Sequence, residues 1–299
     1  MFFKPKSAPF DVCIIGGMGP AATAELMRRT VLYTEAKADA EHASVCVFNA
    51  PHTPDRSEYI LSGEFFPKGK SARLTAQLSR GKRNAVLSKK AVSNTTPVRS
   101  GSPLSPLKAI KEQIAAAKKL RCRYFAVACN TAHYFYKDFE GVRGIKFINT
   151  VKETAAYAAI VYPEKELCVL ATLGTVKADI YGTLSPKNAK IRYPSPAICE
   201  EIMRLIREIK AGRAALSDSG SLHSELSNLL SLLKEEFDTE KTVFILGCTE
   251  LSLVFSCFDG LTVVDSTDVL AGKIISVCGK RFNRETFSLK AEYFGKIQE

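Results

Sequence analysis

The chain has 299 residues, 46% hydrophobic and 24% charged, enough for one large buried core or two medium ones. No apolar run approaches the roughly 18–20 residues that a membrane span needs, and Met1–Phe10 lacks the apolar stretch of a secretory signal, so the expectation is a cytosolic protein with no membrane partner. The net charge of +11 suggests nucleic acid at first sight, but nine basic residues and no acid lie between Pro67 and Pro103, and the rest of the chain is nearly balanced.

In chain order, strand-like runs rich in Val, Ile and Phe fall at about 11–16, 44–49, 123–128, 145–148, 167–171, 189–193, 242–246 and 261–264. Helix-like stretches separate them, at about 19–37, 104–120, 131–139, 150–161, 175–184, 196–211, 214–236, 249–257 and 267–278. This alternation predicts an α/β fold with parallel sheets covered on both faces. Pro20 suits a first helical turn, where a missing N–H costs nothing. Several strands end in a small-residue turn that opens a helix: Gly16-Gly17-Met18-Gly19-Pro20, Cys129-Asn130-Thr131, Gly174-Thr175 and Gly247-Cys248-Thr249. In such folds ligands collect at the carboxyl ends of the strands. Residues 65–103 are rich in Ser, Lys, Arg and Pro and read as a long disordered insertion. Solvated surface, an arm for RNA or an acidic partner, and translated intron sequence are the readings open to it. Because the basicity is confined there, a nucleic-acid partner is disfavoured.

The chain repeats itself weakly. VCIIGGMGP (12–20) and FAVACNT (125–131) in the first half correspond to LCVLATLGT (167–175) and VFILGCTE (243–250) in the second. Gly17 and Cys129 are 112 positions apart, Gly174 and Cys248 only 74, a difference close to the 37 residues of 67–103. The expected architecture is therefore two pseudo-symmetric α/β domains with parallel central sheets and a cleft between them, each offering one cysteine at a strand end. Their boundaries are placed at 1–150 plus 262–299 and at 151–261.

Nine cysteines include no CxxC pair and no Cys/His spacing suited to zinc, so no metal is expected. The odd count and the intracellular reading argue against disulfides. Cys13, Cys46, Cys122 and Cys168 lie in or beside apolar strands and read as small core hydrophobes. Cys129 and Cys248 differ. Each directly follows an apolar strand and precedes a helix, whose first-turn amides and dipole favour a thiolate or a substrate carboxylate. Asn130 and Thr131 can cap that helix and hydrogen-bond a ligand. Two facing thiols suit the inversion of a carbon stereocentre, since one removes a proton from one face and the other returns a proton to the opposite face. No cofactor is signalled: there is no Walker A motif, and GGMGP lacks the GxGxxG frame.

At these residues the chain resembles a known family. IGGMGPAATAELMRR, FNAPHTPDRSEYIL, ACNTAH, LATLGT and GCTELS are similar to the motifs of microbial aspartate racemases and their aspartate/glutamate racemase relatives. The resemblance covers nearly the whole chain except 65–103 and the last ~20 residues. It implies two α/β domains with the active site in the interdomain cleft, commonly a homodimer, with a small amino acid as substrate. It implies that Cys129 and Cys248 are the proton donors and acceptors, and that Asn130, Thr131 and Ala132 grip the α-carboxylate. Met18 and Gly19 would line the pocket, and Thr249 would serve the second half as Thr131 serves the first. Arg56 matches the arginine that holds the side-chain carboxylate, a role its planar fork suits. Glu250 matches the glutamate of this branch, where glutamate racemases carry histidine.

One departure stands out. The family's lysine near the start of the helix at 196–211 is expected to be replaced here by Cys199 or Glu200, which puts an acidic substrate in question. The basic insertion is a candidate source of a substitute cation. His133, one turn after Cys129, is read as orienting backbone or reaching the site, and His42, His52 and His223 as surface residues. Three functions follow: racemisation of aspartate, with glutamate second; a related reaction on another amino acid, a hydantoin or a malonate-like acid; or a non-catalytic binding protein with a basic arm.

Overall fold

A computed structural model describes residues 10–63, 103–212, 220–258 and 260–295. The basic segment 67–103, apart from Pro103, lies outside the described residues. The first half runs β1 (Val12–Gly16), α1 (Pro20–Leu32), β2 (Val45–Asn49), α2 (Arg56–Leu61), α3 (Leu107–Lys119), β3 (Tyr124–Val127), a 3-10 helix (Thr131–Phe135), α4 (Tyr136–Glu140), β4 (Lys146–Ile148) and α5 (Thr150–Val161). The second runs β5 (Glu166–Leu170), α6 (Leu173–Lys177), α7 (Ile180–Leu184), β6 (Ile191–Arg192), α8 (Pro196–Lys210), α9 (Gly220–Glu236), β7 (Thr242–Leu246), a 3-10 helix (Leu251–Cys257), β8 (Val263–Asp265), α10 (Ser266–Val277) and α11 (Ala291–Gly295).

Two four-stranded parallel sheets result, ordered β2-β1-β3-β4 and β6-β5-β7-β8. The orders are the same, as the internal repeat predicts. Central strands are apolar along their length because both faces are covered: every residue of β1 and β7 is buried. The period of two sorts their side chains between cores. Val12 and Ile14 of β1, Leu167 and Val169 of β5, and Val243 and Ile245 of β7 face one middle core, shared with Val151 and Ala155 of α5 and Leu270 and Ile274 of α10. Cys13 and Ile15 face an outer core under α3, with Ile110 and Ile114. Cys168, Leu170, Phe244 and Leu246 face the opposite outer core under α8 and α9. Of the expected core cysteines, Cys13, Cys122 and Cys168 are buried and Cys46 is half-buried.

The chain was expected to return to the first half at 262. β8 still pairs with β7 in the second sheet, and α10, after it, packs on α1 and α5. The helical stretch expected over 175–184 is broken into α6 and α7 at Asp179, whose left-handed backbone (φ 47°, ψ 49°) ends one helix and starts the next. Within the stretch 249–257, Leu251–Cys257 forms 3-10 helix instead of α-helix. Short α2 follows Pro54 because the Asp55 side chain accepts from the Glu58 amide at 2.8 Å, an N-cap that positions Arg56 at the first helical residue. Among the described residues no helix is long and apolar enough to cross a membrane.

Candidate active site

In each sheet the chain reverses its direction of winding between the two central strands. A crevice opens there at the strands' carboxyl ends. Gly17-Met18-Gly19 follows β1 and Cys129 follows β3. In the second sheet Thr172 follows β5 and Cys248 follows β7. The two crevices meet diagonally. After β1, a Cβ added at Gly19 would lie 2.6 Å from Glu250 Oε1 after β7. After β3, Thr131 Oγ1 lies 2.9 Å from Thr172 Oγ1 and 3.1 Å from Thr175 Oγ1 after β5. Gly17 makes the first turn possible. Its φ is +85°, and a Cβ there would sit 2.2 Å from the Ala50 amide nitrogen.

A cavity of about 370 Å³ opens at this junction, lined among others by Met18, Gly19, Arg56, Lys210, Glu250 and Leu253. Both cysteines are buried just behind that lining. Cys248 Sγ donates to Glu250 Oε2 at 2.9 Å. Burial, and then Glu250, push the Cys248 thiol well above its ordinary value, with Lys210 pulling the other way. Lys210 Nζ stands 3.7 Å from Glu250 Oε1. Burial opposes its ammonium, but Glu250, Cys248 and Cys129 together hold its pKa above the usual lysine value. Arg56 is 6% exposed. Its Nη2 donates to Met18 O at 2.6 Å and its Nη1 to Thr53 O at 3.2 Å and Pro54 O at 3.0 Å. Burial again opposes the charge, and Cys129, Asp55 and Glu250 more than offset it. Arg56 and Lys210, Cys129 and Cys248, and Glu250 thus form one electrostatic cluster.

Of the residues singled out in the sequence, Met18, Gly19, Arg56 and Glu250 line the cavity. Cys129, Asn130, Thr131, Ala132, Cys248 and Thr249 are buried. The Asn130 side chain is held in the interior: Tyr181 Oη donates to its Oδ1 at 2.9 Å, and its Nδ2 donates to Ser266 Oγ at 3.0 Å. Thr249 differs from Thr131, since among the described residues its hydroxyl donates to the neighbouring Glu250, at 3.4 Å, and not across to the other half.

The lysine substitution expected at Cys199 or Glu200 is corrected. Cys199 Sγ donates to Pro194 O at the start of α8, and Glu200 is exposed. They stand ten or more residues, roughly 15 Å along the helix axis, from the end of α8 that meets the cavity. The cation there is Lys210, the last residue of the helix. A lysine at a helix C-terminus has a ready explanation in the helix dipole, which hides it from sequence reasoning. Thr172 and Thr175 were also unassigned, although both lie in the LATLGT motif at a strand-to-helix turn.

His133 is fully buried. The Thr150 amide donates to Nε2 at 3.2 Å, so Nδ1 carries the proton and donates to Cys129 O at 3.0 Å. The ring ties the Cys129 turn to the first turn of α5. Burial drives its pKa down to about 4. The unfolded imidazole, at about 6.5, takes a proton that the folded ring refuses. The contribution of His133 to stability is therefore full above about pH 6.5 and is lost as pH falls toward 4. Asp268, raised to about 6 by burial and by Asp265 despite Arg29, shifts in the opposite sense and offsets part of this in the wild type. His133→Asn isolates the effect. In urea denaturation, the stability of wild type relative to the variant should drop by about 3 kcal/mol between pH 7 and pH 4; parallel stability curves would contradict it.

Comparison with known proteins gives the family and the fold. A family model described as Asp/Glu/Hydantoin racemase matches residues 15–274, from the end of β1 into α10. The broad specificity amino-acid racemase RacX of Bacillus subtilis (strain 168) is 25% identical over 170 residues, 56% of this chain and 70% of that protein. The Picrophilus torridus aspartate racemase has a TM-score of 0.65 at 25% identity, over 93% of this chain and 99% of that one. A glutamate racemase isoform from Bacillus anthracis shares the fold, with a TM-score of 0.54 at 16% identity over 91% and 83%.

Proposed function

The chain belongs to the Asp/Glu/hydantoin racemase family, and from that premise we propose that Cys129 and Cys248 exchange the α-proton on opposite faces of an acidic amino acid, aspartate first and glutamate second. The family makes the protein an amino-acid racemase, an isomerase. The observation that carries the finer reading is the single charged cluster around both strand-end cysteines. Arg56 adjoins Cys129, Glu250 bonds Cys248, and Lys210 is within electrostatic reach of both.

The chemistry follows from the inequality of the two sulfurs. Cys248 is a thiol bonded to a carboxylate, so it is the proton donor in the resting protein. Cys129, beside the Arg56 guanidinium, is the base. It takes the α-proton of the enantiomer whose C–H faces it, while Cys248 delivers a proton to the other face. The reverse direction starts with the roles exchanged, as a two-base inversion requires. Arg56 and Lys210 are the cations for the substrate side-chain carboxylate. Arg56 Nε is buried with no hydrogen-bond partner among the described residues, so it is the donor left over for a ligand. Thr131, Thr172 and Thr175, with the amides after Cys129, are the donors for the α-carboxylate. The printed name of the Picrophilus relative supports aspartate; that of RacX keeps other amino acids in view.

The test is incubation of single enantiomers of aspartate, glutamate and neutral amino acids in D₂O. Deuterium should enter the α-position of acidic substrates, in the inverted product. Exchange confined to neutral amino acids would overturn the substrate, and no exchange with any would overturn the catalytic reading.

A further inference from the structure

One buried hydroxyl bonds to both cysteine turns at once. Ser266, the first residue of α10, is 0% exposed. Its Oγ donates to Leu246 O at 2.7 Å, the last carbonyl of β7, two residues before Cys248. It also accepts from Nδ2 of Asn130 at 3.0 Å, the residue after Cys129. The hydroxyl's one proton is committed to the second half and a lone pair to the first. The helix start that carries Ser266 is itself fixed. Asp265 accepts from Arg29 Nη1 at 2.6 Å and from Ser252 Oγ at 2.6 Å, and its Oδ1 caps the helix through the Thr267 amide at 2.8 Å. Ser266 lines no part of the cavity.

We propose that Ser266 is a positioning residue that sets the separation of Cys129 and Cys248 across the substrate carbon. The proposal rests on the two-cysteine reading. The cysteines sit on turns after two different sheets, so their spacing depends on contacts between the halves. Among the described residues, Asn130–Ser266–Leu246 joins the two cysteine turns by two hydrogen bonds. Inversion needs both sulfurs at one carbon in the same complex, and about 1 Å of slack can cost as much as 10²-fold in rate. Substrate capture rests mainly on Arg56 and Lys210, which the relay does not touch; of the α-carboxylate donors, only the Asn130 amide adjoins it. Loss of the hydroxyl therefore falls on kcat and leaves KM nearly alone. A structural role alone would lower stability without that split.

Four variants of the full chain test this. Ser266→Ala should lower kcat about 30-fold, with KM within about 2-fold. Ser266→Thr, which keeps both bonds, should restore kcat to within about 3-fold. Ser276→Ala removes a buried bond elsewhere on α10, to Phe294 O, and leaves the bridge; it should lower Tm yet hold kcat within about 3-fold. Should Ser266→Ala not fold, Ser266→Cys, with longer and weaker bonds, carries the test and should lose about 5-fold in kcat. Wild-type kcat in folded Ser266→Ala or Ser266→Cys, or equal kcat losses in Ser266→Ala and Ser276→Ala, would overturn the proposal. Inactive Cys129→Ser and Cys248→Ser alongside a normal Ser266→Ala would sink this inference alone; active cysteine variants would sink the reading beneath it.

Discussion

Cys129→Ser and Cys248→Ser are each expected to lower kcat for racemisation at least about 10³-fold, in both directions. A thiol ordinarily ionises near 8.5, whereas a hydroxyl is a far weaker acid, so serine supplies neither the base nor the acid that the step needs. Neither loss can be made good by the partner cysteine, because a single base returns the proton to the face it came from. The two variants should differ in stability. In Cys248→Ser the new hydroxyl can still donate to Glu250, whose carboxylate now accepts from sulfur at 2.9 Å, and the fold should be little affected. Cys129 packs on Ile15, Val127 and Phe135, with the Arg56 guanidinium as its polar neighbour; a hydroxyl fits that apolar packing less well than sulfur, so a lower Tm is expected. Single-turnover proton exchange and thermal melts on both variants separate the effects. Activity above about a tenth of wild type in either folded variant would contradict a two-base mechanism.

The repeat between the halves was legible because both chemistry and packing wrote it. Each sheet needs an apolar strand that stops at a small residue and turns into a helix, so VCIIGGMGP and LCVLATLGT resemble each other, as do FAVACNT and VFILGCTE. The repeated motifs place Cys129 and Cys248 at equivalent strand ends, and the strand orders β2-β1-β3-β4 and β6-β5-β7-β8 repeat as the halves do. What the sequence concealed lies in the contacts between the halves. Lys210 reaches the site from the far end of a fifteen-residue helix, and its position in the chain looks like an ordinary C-terminal cation. Ser266 and Asn130 are 136 residues apart, and no local pattern announces that they touch. α2 is a different case. Asp55 and Glu58 are spaced as an N-cap and its third helical residue, a signal present in the motif that held Arg56.

Lys210→Met is expected to reduce kcat/KM for aspartate about 100-fold, the equivalent of about 2.7 kcal/mol. Two effects contribute, and they can be told apart. As a cation on the cavity wall, Lys210 lowers the free energy of a bound side-chain carboxylate, and its removal raises KM for acidic substrates only. As a charge beside Cys248, it opposes the burial that pushes that thiol upward. Its removal leaves less of Cys248 as thiolate and slows any substrate in the direction where Cys248 abstracts the proton. Lys210→Arg keeps the charge and should recover most of the second effect, but only part of the first, because a planar fork does not occupy the place of an ammonium. The variants should therefore be compared on aspartate and on a neutral amino acid that the enzyme turns over, with kcat and KM resolved for each enantiomer. A loss concentrated in KM for aspartate assigns Lys210 to side-chain recognition. An equal loss for both substrates, carried by kcat, would remove it from recognition and leave it as the charge that keeps Cys248 within reach of ionisation.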